Sequence, residues 1–515
     1  MRHTCARTVL FLLTMVSAFI TAEDARTACF AIRVVDEQTG RGVPLVELRT
    51  VHCVRYWTDS NGLIAFLEPG LMNQKVFFEV KSHGYEFPNP PDAFGARGAF
   101  LDVKPGGRAE VKIRRLNIAE RLYRITGEGI YRDSVLLGEP VPIQQPVLNA
   151  QVAGQDSVQM AEYRGKLYWL WGDTNRLGHP LGHFGTAGAT SLKPGAGGLD
   201  PAKGVDLTYF ANASGFSRPM CAVPGPGMKW MDGLAVVRDD AGAERLIARF
   251  SRMKSLGECY ERGIAIFNDQ KEAFEPLAPL ALDETLCPSG QAFRHRVGDQ
   301  EYLYFTAPLP ALRVKADLKS VRDPHAYEGF SCLAPGTRYA KGETKLDRGA
   351  GGRLVWTWKR DTAPLGQAEL WELGKAGLLK VEELWNKTAD AETGRQVTVH
   401  AGSVAYNAFR KRWIMIFHER GGAPSFLGEV WCAESDAPEG PWERARKIVT
   451  HDRYSFYNVR HHPEFDQERG RLIYFEGTYT AMFSGNPDPT PRYEYNQMMY
   501  RLDLSDPRLK LSPRP

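Results

Sequence analysis

Two isolated aspartates bracket one apolar segment of this chain. The stretch from Gly154 to Asn175 reads GQDSVQMAEYRGKLYWLWGDTN, with Asp156 near its start and Asp173 near its end. A scaffold that holds two carboxyl groups in different environments can keep one protonated and the other ionised. Glycoside hydrolysis needs such a pair. The alternative for Asp173 is a turn cap, in which the carboxylate accepts backbone N–H groups.

Two further acids are candidates for the same chemistry. Glu261, in CYERGIAIFND, is a candidate general acid, and its alternative is an ion pair with Arg262 or another surface charge. Asp232, in KWMDGLAV, precedes an apolar run. It either orients a group in the site, where it would help to bind substrate, or caps a turn.

The later part of the chain offers candidate substrate-binding residues. They are His400 in TVHAGSVAY, Arg460 and His462 in VRHHP, Glu476 in YFEGTYT, and Tyr495. Adjacent histidines on a strand point in opposite directions, so His461 and His462 do not form a two-ligand metal site. We predict neither a metal nor a cofactor.

Aromatic side chains can stack on sugar rings in partly exposed sites. Trp230, Tyr457 and Tyr495 are the candidates. The alternative for each of them is a place in the hydrophobic core.

Several reaction classes have no signature here. The sequence contains no Gly-x-Ser-x-Gly, no His-Glu-x-x-His and no Gly-x-x-x-x-Gly-Lys motif, so serine, zinc and phosphate-loop chemistry have little support. The net charge is +4, and removing Arg2 and Arg7 with a leader would leave +2. That balance does not favour a nucleic-acid partner.

Residues 1–22 have the pattern of a secretory signal. Two arginines precede an apolar run from Val9 to Ile20, and Ala18 and Ala22 are candidate cleavage points. We therefore predict a secreted or periplasmic protein with no membrane span after signal removal; a retained N-terminal anchor is the alternative. Export permits disulfides, and Cys29 with Cys53 is the pair we favour among the seven cysteines that remain.

The candidate residues need a β-rich scaffold. Lys166 to Trp171 predicts a strand that is apolar on both faces, and the 50 glycines and 33 prolines favour many turns. Five strand-rich units follow one another from 146 to 505, so we predict a five-bladed β-propeller with an inner strand at 167–173. Asp156 and Asp173 would then meet at the rim of the central funnel. A pair of β-sandwiches is the alternative.

A smaller unit precedes the propeller. Residues 28–115 predict an antiparallel β-sandwich of immunoglobulin or transthyretin type, and 116–145 a connector with one short helix. The phrases DEQTGRGVP, TDSNG and GYEF resemble carboxypeptidase regulatory-like domains, which implies a non-catalytic spacer or adhesion module.

The opening stretch also resembles a family. A glycine-flanked Asp followed by a strand ending in Trp-Gly-Asp-Thr is similar to secreted propellers that include endo-D-arabinofuranases. The phrase GEVWCAESDAPEGPW resembles glycoside hydrolase family 43. By this resemblance Asp156 and Asp173 match the two acids of the first-blade motif. Ser157 stands where the family has Leu-Gly, and Asn175 replaces an aromatic residue.

These patterns together predict an exported glycoside hydrolase that acts on a polysaccharide or oligosaccharide, with furanose-containing chains as the class that the resemblance implies. The alternatives are a non-catalytic carbohydrate-binding or cell-surface propeller, and a lyase that uses the histidines.

Overall fold

A computed structural model describes residues 28–510 except 92, 94 and 179–184. The predicted signal at 1–22 lies outside these residues. The architecture is all-β with few helices, which confirms the predicted class. Across the described ranges, no helix is both long and apolar enough to cross a membrane.

Residues 30–115 form two four-stranded sheets around one hydrophobic core. The strands are β1 (Phe30–Asp36), β2 (Glu47–Thr50), β3 (Arg55–Trp57), β4 (Leu63–Phe66), β5 (Lys75–Lys81), β6 (Tyr85–Glu86), β7 (Gly98–Asp102) and β8 (Arg108–Arg115). The sheet orders are β4-β1-β8-β6 and β3-β2-β5-β7. In β5, alternate residues Val76, Phe78 and Val80 point into the shared core, as expected for strands with one apolar face.

The segment 116–145 holds β9 (Glu120–Arg124) and α1 (Arg132–Leu136). The short helix agrees with the prediction for this connector. The strand does not: all five residues of β9 are buried, and its partner lies at the far end of the chain.

The rest of the chain forms five further sheets and a two-stranded ribbon. The strands are β10 (Val152–Gln155), β11 (Gln159–Tyr163), β12 (Lys166–Trp171), β13 (Thr174–Arg176), β14 (Ala187–Leu192), β15 (Thr208–Tyr209), β16 (Met228–Arg238), β17 (Glu244–Met253), β18 (Cys259–Asn268), β19 (Ala273–Leu280), β20 (Gln291–Val297), β21 (Gln300–Thr306), β22 (Leu312–Lys315), β23 (Glu328–Ser331), β24 (Thr357–Arg360), β25 (Ala389–Asp390), β26 (Val399–Asn407), β27 (Arg412–Glu419), β28 (Val430–Ser435), β29 (Arg444–Val449), β30 (Ser455–His461), β31 (Leu472–Thr480) and β32 (Asn496–Asp503). Two helices interrupt them, α2 (Leu318–Val321) and α3 (Gln367–Lys375). Short 3₁₀ turns lie at Pro324–Ala326, Ala350–Gly352, Val381–Glu383, Pro463–Phe465, Glu468–Gly470 and Pro507–Leu509.

The five sheets follow chain order, with one exchange at the end. Sheet 1 is β11-β12-β14-β15, sheet 2 is β16-β17-β18-β19, sheet 3 is β20-β21-β22-β23-β24, sheet 4 is β25-β29-β28-β27-β26 and sheet 5 is β30-β31-β32-β9. β9 pairs antiparallel with β32, with Tyr123 opposite Met499. Sheet 5 therefore takes one strand from the segment that precedes sheet 1.

Consecutive sheets share hydrophobic clusters. One edge strand of each sheet contacts an edge strand of the next, β11 with β16, β16 with β20, β20 with β26 and β26 with β30. Apolar clusters join sheets 1 and 2, 2 and 3, 3 and 4, and 4 and 5. A further cluster joins sheet 5 to sheet 1 through Tyr474, Met499 and Trp169. A sheet with neighbours on both sides must be apolar on both faces.

The apolar strand at 166–171 is formed as predicted. Leu167, Trp169 and Trp171 pack in the cluster shared with sheet 5, while Leu170 packs in the cluster shared with sheet 2. Its position in the sheet differs from the prediction, because β11 contacts the next sheet and β12 is second in order. The less apolar strand QMAEY is thus the one that contacts the next sheet.

The predicted disulfide between Cys29 and Cys53 is wrong. Both residues are free thiols, as are the other five cysteines of the described chain. Cys29 is buried beside β1, next to Leu63 and Leu137. Cys53 is exposed in the turn that follows β2, where its φ is 68°.

Candidate active site

The hairpin of β11 and β12 brings Asp156 and Asp173 together. Asp156 lies before β11 and Asp173 directly follows β12, and the start of one antiparallel strand adjoins the end of the next. The backbone N–H of Asp156 donates to the carbonyl of Asp173 at 3.3 Å. The N–H of Gly172 donates to the carbonyl of Asp156 at 2.8 Å.

Gly172 leaves room for the Asp156 carboxyl group. A Cβ placed on Gly172 would lie 2.2 Å from Oδ1 of Asp156, which is far inside van der Waals contact. The glycine of the GDTN sequence is thus required by the close approach of the first acid. It does not have a positive φ.

The two acids line one cavity of about 660 Å³. Residues from all five sheets or their preceding loops form its wall, among them Asp156, Asp173, Trp230, Asp232, Arg249, Gln291, His400 and Asn458. The volume falls within the usual range for small-molecule sites. Four of the predicted site residues, Asp156, Asp173, Asp232 and His400, therefore meet at this cavity.

Asp156 is the more strongly perturbed of the two acids. Burial raises its pKa to about 6, and the nearby charge of Asp173 adds to the increase. Two phenols oppose this shift. Tyr495 hydrogen-bonds the carboxyl group, and Tyr457 Oη donates to Oδ2 at 3.0 Å.

Asp173 has a different partner. Nε1–H of Trp230 donates to its Oδ1 at 2.7 Å. Burial raises the pKa of Asp173, and this hydrogen bond acts against the increase because it stabilises the ionised form. The two carboxyl groups thus sit in one cavity with different solvation and different donors.

Asp232 is held by a dense set of donors. Nη2 of Arg249 lies 2.6 Å from its Oδ2, and Oδ1 accepts from Nε2 of Gln159 at 3.0 Å and from the N–H of Gly290 at 3.0 Å. These contacts join sheets 1 and 2 and the loop before sheet 3. Gly233 makes them possible, because its φ is +65° and a Cβ there would lie 2.6 Å from the backbone of Pro288. Asp232 is therefore an anchor between these elements in the cavity wall.

His400 contributes an imidazole to the cavity wall. Its Nδ1 lies 2.8 Å from Nε2 of His418. Burial lowers the pKa of both rings, that of His418 to about 3. A pair of neutral imidazoles with one N–H between them fits this contact. In the described parts of the chain, no group of three or more His, Cys, Asp or Glu side chains is arranged to hold a metal ion.

The structure does not bring Glu261 into the cavity lining. It lies on β18, and its Oε1 is 2.8 Å from Nε of Arg252, with 43% of the side chain exposed. The ion-pair alternative for this residue holds, with Arg252 as the partner in place of Arg262.

Four predicted substrate-binding residues lie in the interior. His462 and Glu476 are fully buried, and Nε2 of the histidine lies 2.7 Å from Oε1 of the glutamate. Glu476 sits in the middle of β31, and burial raises its pKa to about 8. A substrate in the cavity cannot touch either side chain.

Arg460 lies behind the cavity wall. It is buried, and its Nη1 donates to Oε1 of Gln291 at 2.5 Å. Gln291 itself lines the cavity. Tyr495 is also buried and acts through its hydrogen bond to Asp156. Arg460 and Tyr495 are thus positioned to support the groups of the cavity wall.

Sequence reasoning missed Arg249, Gln159 and Gln291. The two glutamines link different sheets, Gln159 through Asp232 and Gln291 through Arg460, whereas Arg249 pairs with Asp232 within sheet 2. Arg249 carried a weak signal, since it is a charged residue within the apolar run LIARF of β17. The two glutamines lie at the starts of β11 and β20 and carried no local signal.

Comparison with models of protein families found no match. Comparison with curated proteins found none either. Among solved structures, a putative hydrolase from Bacteroides ovatus aligns at 13% identity over 68% of this chain and 86% of its own, with a TM-score of 0.40. A GH43_1 enzyme from Xanthomonas citri complexed with xylotriose aligns at 11% identity over 69% and 87%, with a TM-score of 0.35. An exo-1,5-alpha-L-arabinanase from a bovine ruminal metagenomic library aligns at 9% identity over 68% and 94%, with a TM-score of 0.33. At this level of similarity, the assignment of function depends on the geometry of the cavity.

Proposed function

We propose that this chain is an exported glycoside hydrolase that cleaves a polysaccharide with the carboxyl groups of Asp156 and Asp173. One observation carries the proposal: the two acids line a single cavity of about 660 Å³ with different environments. Paired carboxyl groups with separated proton affinities are what this reaction requires. Export follows from the signal pattern at 1–22.

The proposed scaffold is a five-bladed β-propeller. Its support is the order of five sheets, the clusters between consecutive sheets, and the cluster between sheet 5 and sheet 1. Strand β9 would close the ring, since a last blade built from both ends of the chain ties them together. The proposed domain thus spans 146–505 together with 120–124. The unit at 28–115 is proposed as the carboxypeptidase regulatory-like β-sandwich.

The roles of the acids follow from their surroundings. Asp156 has the carboxyl group with the pKa of about 6, so it can hold a proton and deliver it to the leaving glycosidic oxygen. Asp173 receives the N–H of Trp230, which favours the ionised state that either activates water or attacks the anomeric carbon. His400 and Asp232 would then contact sugar hydroxyls from the wall.

A panel of polymers tests the proposal. Purified protein should release reducing ends from at least one of D-arabinan, linear arabinan, xylan and arabinogalactan, with D-arabinan as the first choice from the family resemblance. Binding without cleavage would replace the hydrolase with the non-catalytic carbohydrate-binding alternative. An unsaturated product, detected by its ultraviolet absorbance, would indicate a lyase.

A further inference from the structure

A second and larger cavity lies beside the candidate active site. Its volume is about 1150 Å³, and it shares Arg249, Ala307 and Pro308 with the first cavity. Residues 363–399, which run from the end of sheet 3 to the start of β26 in sheet 4, supply much of its wall. The next residue, His400, lines the first cavity. The two cavities are thus continuous at one edge, and the larger one exceeds the usual volume for a single small ligand.

One part of this second cavity is an aromatic cluster. Phe330, Trp356 and Trp385 line it, with the rings of Phe330 and Trp385 5.0 Å apart. Nε1–H of Trp356 donates to the carbonyl of Glu383 at 2.9 Å. The Nε1 atom of Trp385 is buried and has no hydrogen-bond partner among the described residues. The indole N–H groups of Trp171 and Trp442 are buried without a partner in the same way, so the groove is characterised by its aromatic rings.

The polar part of the wall carries both signs of charge. Arg262, Arg338 and Lys387 are balanced by Asp283, Glu284 and Glu439. Several of these groups already have protein partners; for example, Arg338 lies 2.9 Å from Asp361. A wall of this kind does not select an anion. It offers donors and acceptors to a neutral ligand that has both, as sugar hydroxyls do.

We propose that this aromatic groove, defined by Phe330, Trp356 and Trp385, binds the sugar residues that adjoin the bond cleaved at Asp156 and Asp173. The occupant is an uncharged segment of the same polysaccharide chain. Apolar sugar faces would lie against the exposed parts of the Trp356 and Trp385 rings. The inference rests on the proposed function, and it adds that the enzyme prefers extended chains to short oligosaccharides.

The test compares chain lengths in matched variants. Oligosaccharides of two to eight residues are prepared from linear arabinan, xylan and D-arabinan, and kcat/KM is measured for each length. Binding of the same series to Asp173→Asn protein is measured by calorimetry. We expect kcat/KM and affinity to rise with length in the parent protein. Trp385→Ala should reduce the ratio between the longest and the shortest substrate about tenfold, the effect of losing about one good contact.

Two further variants separate binding from folding. Trp385→Phe keeps a smaller aromatic ring against Phe330, so it should lower the length ratio by a smaller factor than Trp385→Ala. Trp371→Ala is the control, because Trp371 lies on α3 with 63% of its surface exposed and is absent from the groove lining. It should behave as the parent does. Thermal unfolding is recorded for each protein.

The outcomes distinguish the groove from the catalytic proposal. Cleavage with no dependence on chain length, or with equal ratios in Trp385→Ala and the parent, would overturn the groove and leave the hydrolase intact. Length-dependent binding that Trp385 variants weaken, with no cleavage of any polymer, would support the groove and overturn the hydrolase. If no oligosaccharide is bound or cleaved, both are overturned.

Discussion

At the scale of the residue, the site depends on how the surrounding groups change the pKa values of two similar carboxyl groups. Asp156 is enclosed and receives phenol O–H groups, whereas Asp173 receives an indole N–H. The charge on one acid also raises the proton affinity of the other. Such coupling makes proton transfer a property of the pair, and two predictions follow from these contacts.

Replacing Asp173 by Asn keeps the shape of the side chain and removes its charge. We expect release of reducing ends to fall by roughly 10²–10⁴-fold, the usual contribution of a general acid or base, with little change in Tm. Glu261→Gln is the matched control, because Glu261 pairs with Arg252 outside the cavity lining, and it should remain active. An active Asp173→Asn protein, or one that loses activity only by unfolding, would show that Asp173 is a turn cap.

Asp156→Asn should change the pH dependence of stability. The pKa of Asp156 is about 6 in the folded protein and roughly 3.9 in an unfolded chain. A group with a raised folded pKa stabilises the fold at low pH and loses that contribution as pH rises to 6. Relative to the Asn variant, the parent should lose about 2 kcal/mol of unfolding free energy between pH 4 and pH 7. Denaturant titrations of both proteins at these pH values measure this difference in unfolding free energy. A difference that is constant with pH would contradict a buried, proton-holding Asp156.

At the scale of the element, the hairpin of β11 and β12 aligns the acids. Its register places Gln159 opposite Leu170, so the residues beyond each end meet at the same edge of sheet 1. Sequence patterns favoured β12 as the inner strand because it is apolar on both faces. In the structure it is the second strand of sheet 1, and its two faces are covered by sheets 2 and 5. The hairpin positions the acids through its backbone and through Gly172.

Gly172→Ala tests the close approach of hairpin and acid. A Cβ would lie 2.2 Å from Oδ1 of Asp156, so the carboxyl group or the backbone must move. We expect a loss of about 1–3 kcal/mol in stability, as for other overpacked sites, and at least a tenfold loss of activity. The control is Gly178→Ala, because nothing lies within 4 Å of a Cβ at that position. Activity and Tm equal to those of the control would contradict the close approach.

At the scale of the whole molecule, the N-terminal unit is tied into the body near the site. Oη of Tyr493 donates to the carbonyl of Thr58 and accepts from the N–H of Leu45 at 3.2 Å. Leu45 also packs in the cluster that joins sheets 4 and 5. Two residues after Tyr493, the phenol of Tyr495 hydrogen-bonds Asp156. A spacer module would not share a core in this way.

Tyr493→Phe breaks this link while keeping the ring. We expect a loss of about 1–3 kcal/mol in stability, because the buried partner groups lose their hydrogen bonds. The pH–activity profile should also shift, because Tyr495 positions the proton-holding acid. Tyr406→Phe is the control, since Tyr406 is 55% exposed.

Removal of residues 28–115 should abolish cooperative unfolding of the remainder. A deletion protein that folds and keeps full activity would show that the unit is a separable spacer.

The local pattern of the chain was sufficient for the all-β class, for the strand at 166–171 and for the flanking position of the two aspartates. These features depend on residues that are near neighbours, and the alternation of side chains along a strand is visible at that range. Likewise, the helix in the segment 116–145 was predicted from the local sequence.

Tertiary structure decided which other groups join the two acids. Tyr457 reaches Asp156 from 301 positions away in the chain, and β9 pairs with a strand more than 370 residues later. The tertiary structure also buries His462 and Glu476, whose polar character alone suggested contact with substrate. Long-range packing leaves no periodic trace in a local sequence, because the free energy of each contact depends on a partner supplied by a different sheet. The cavity and its adjoining groove are therefore properties of the assembled sheets.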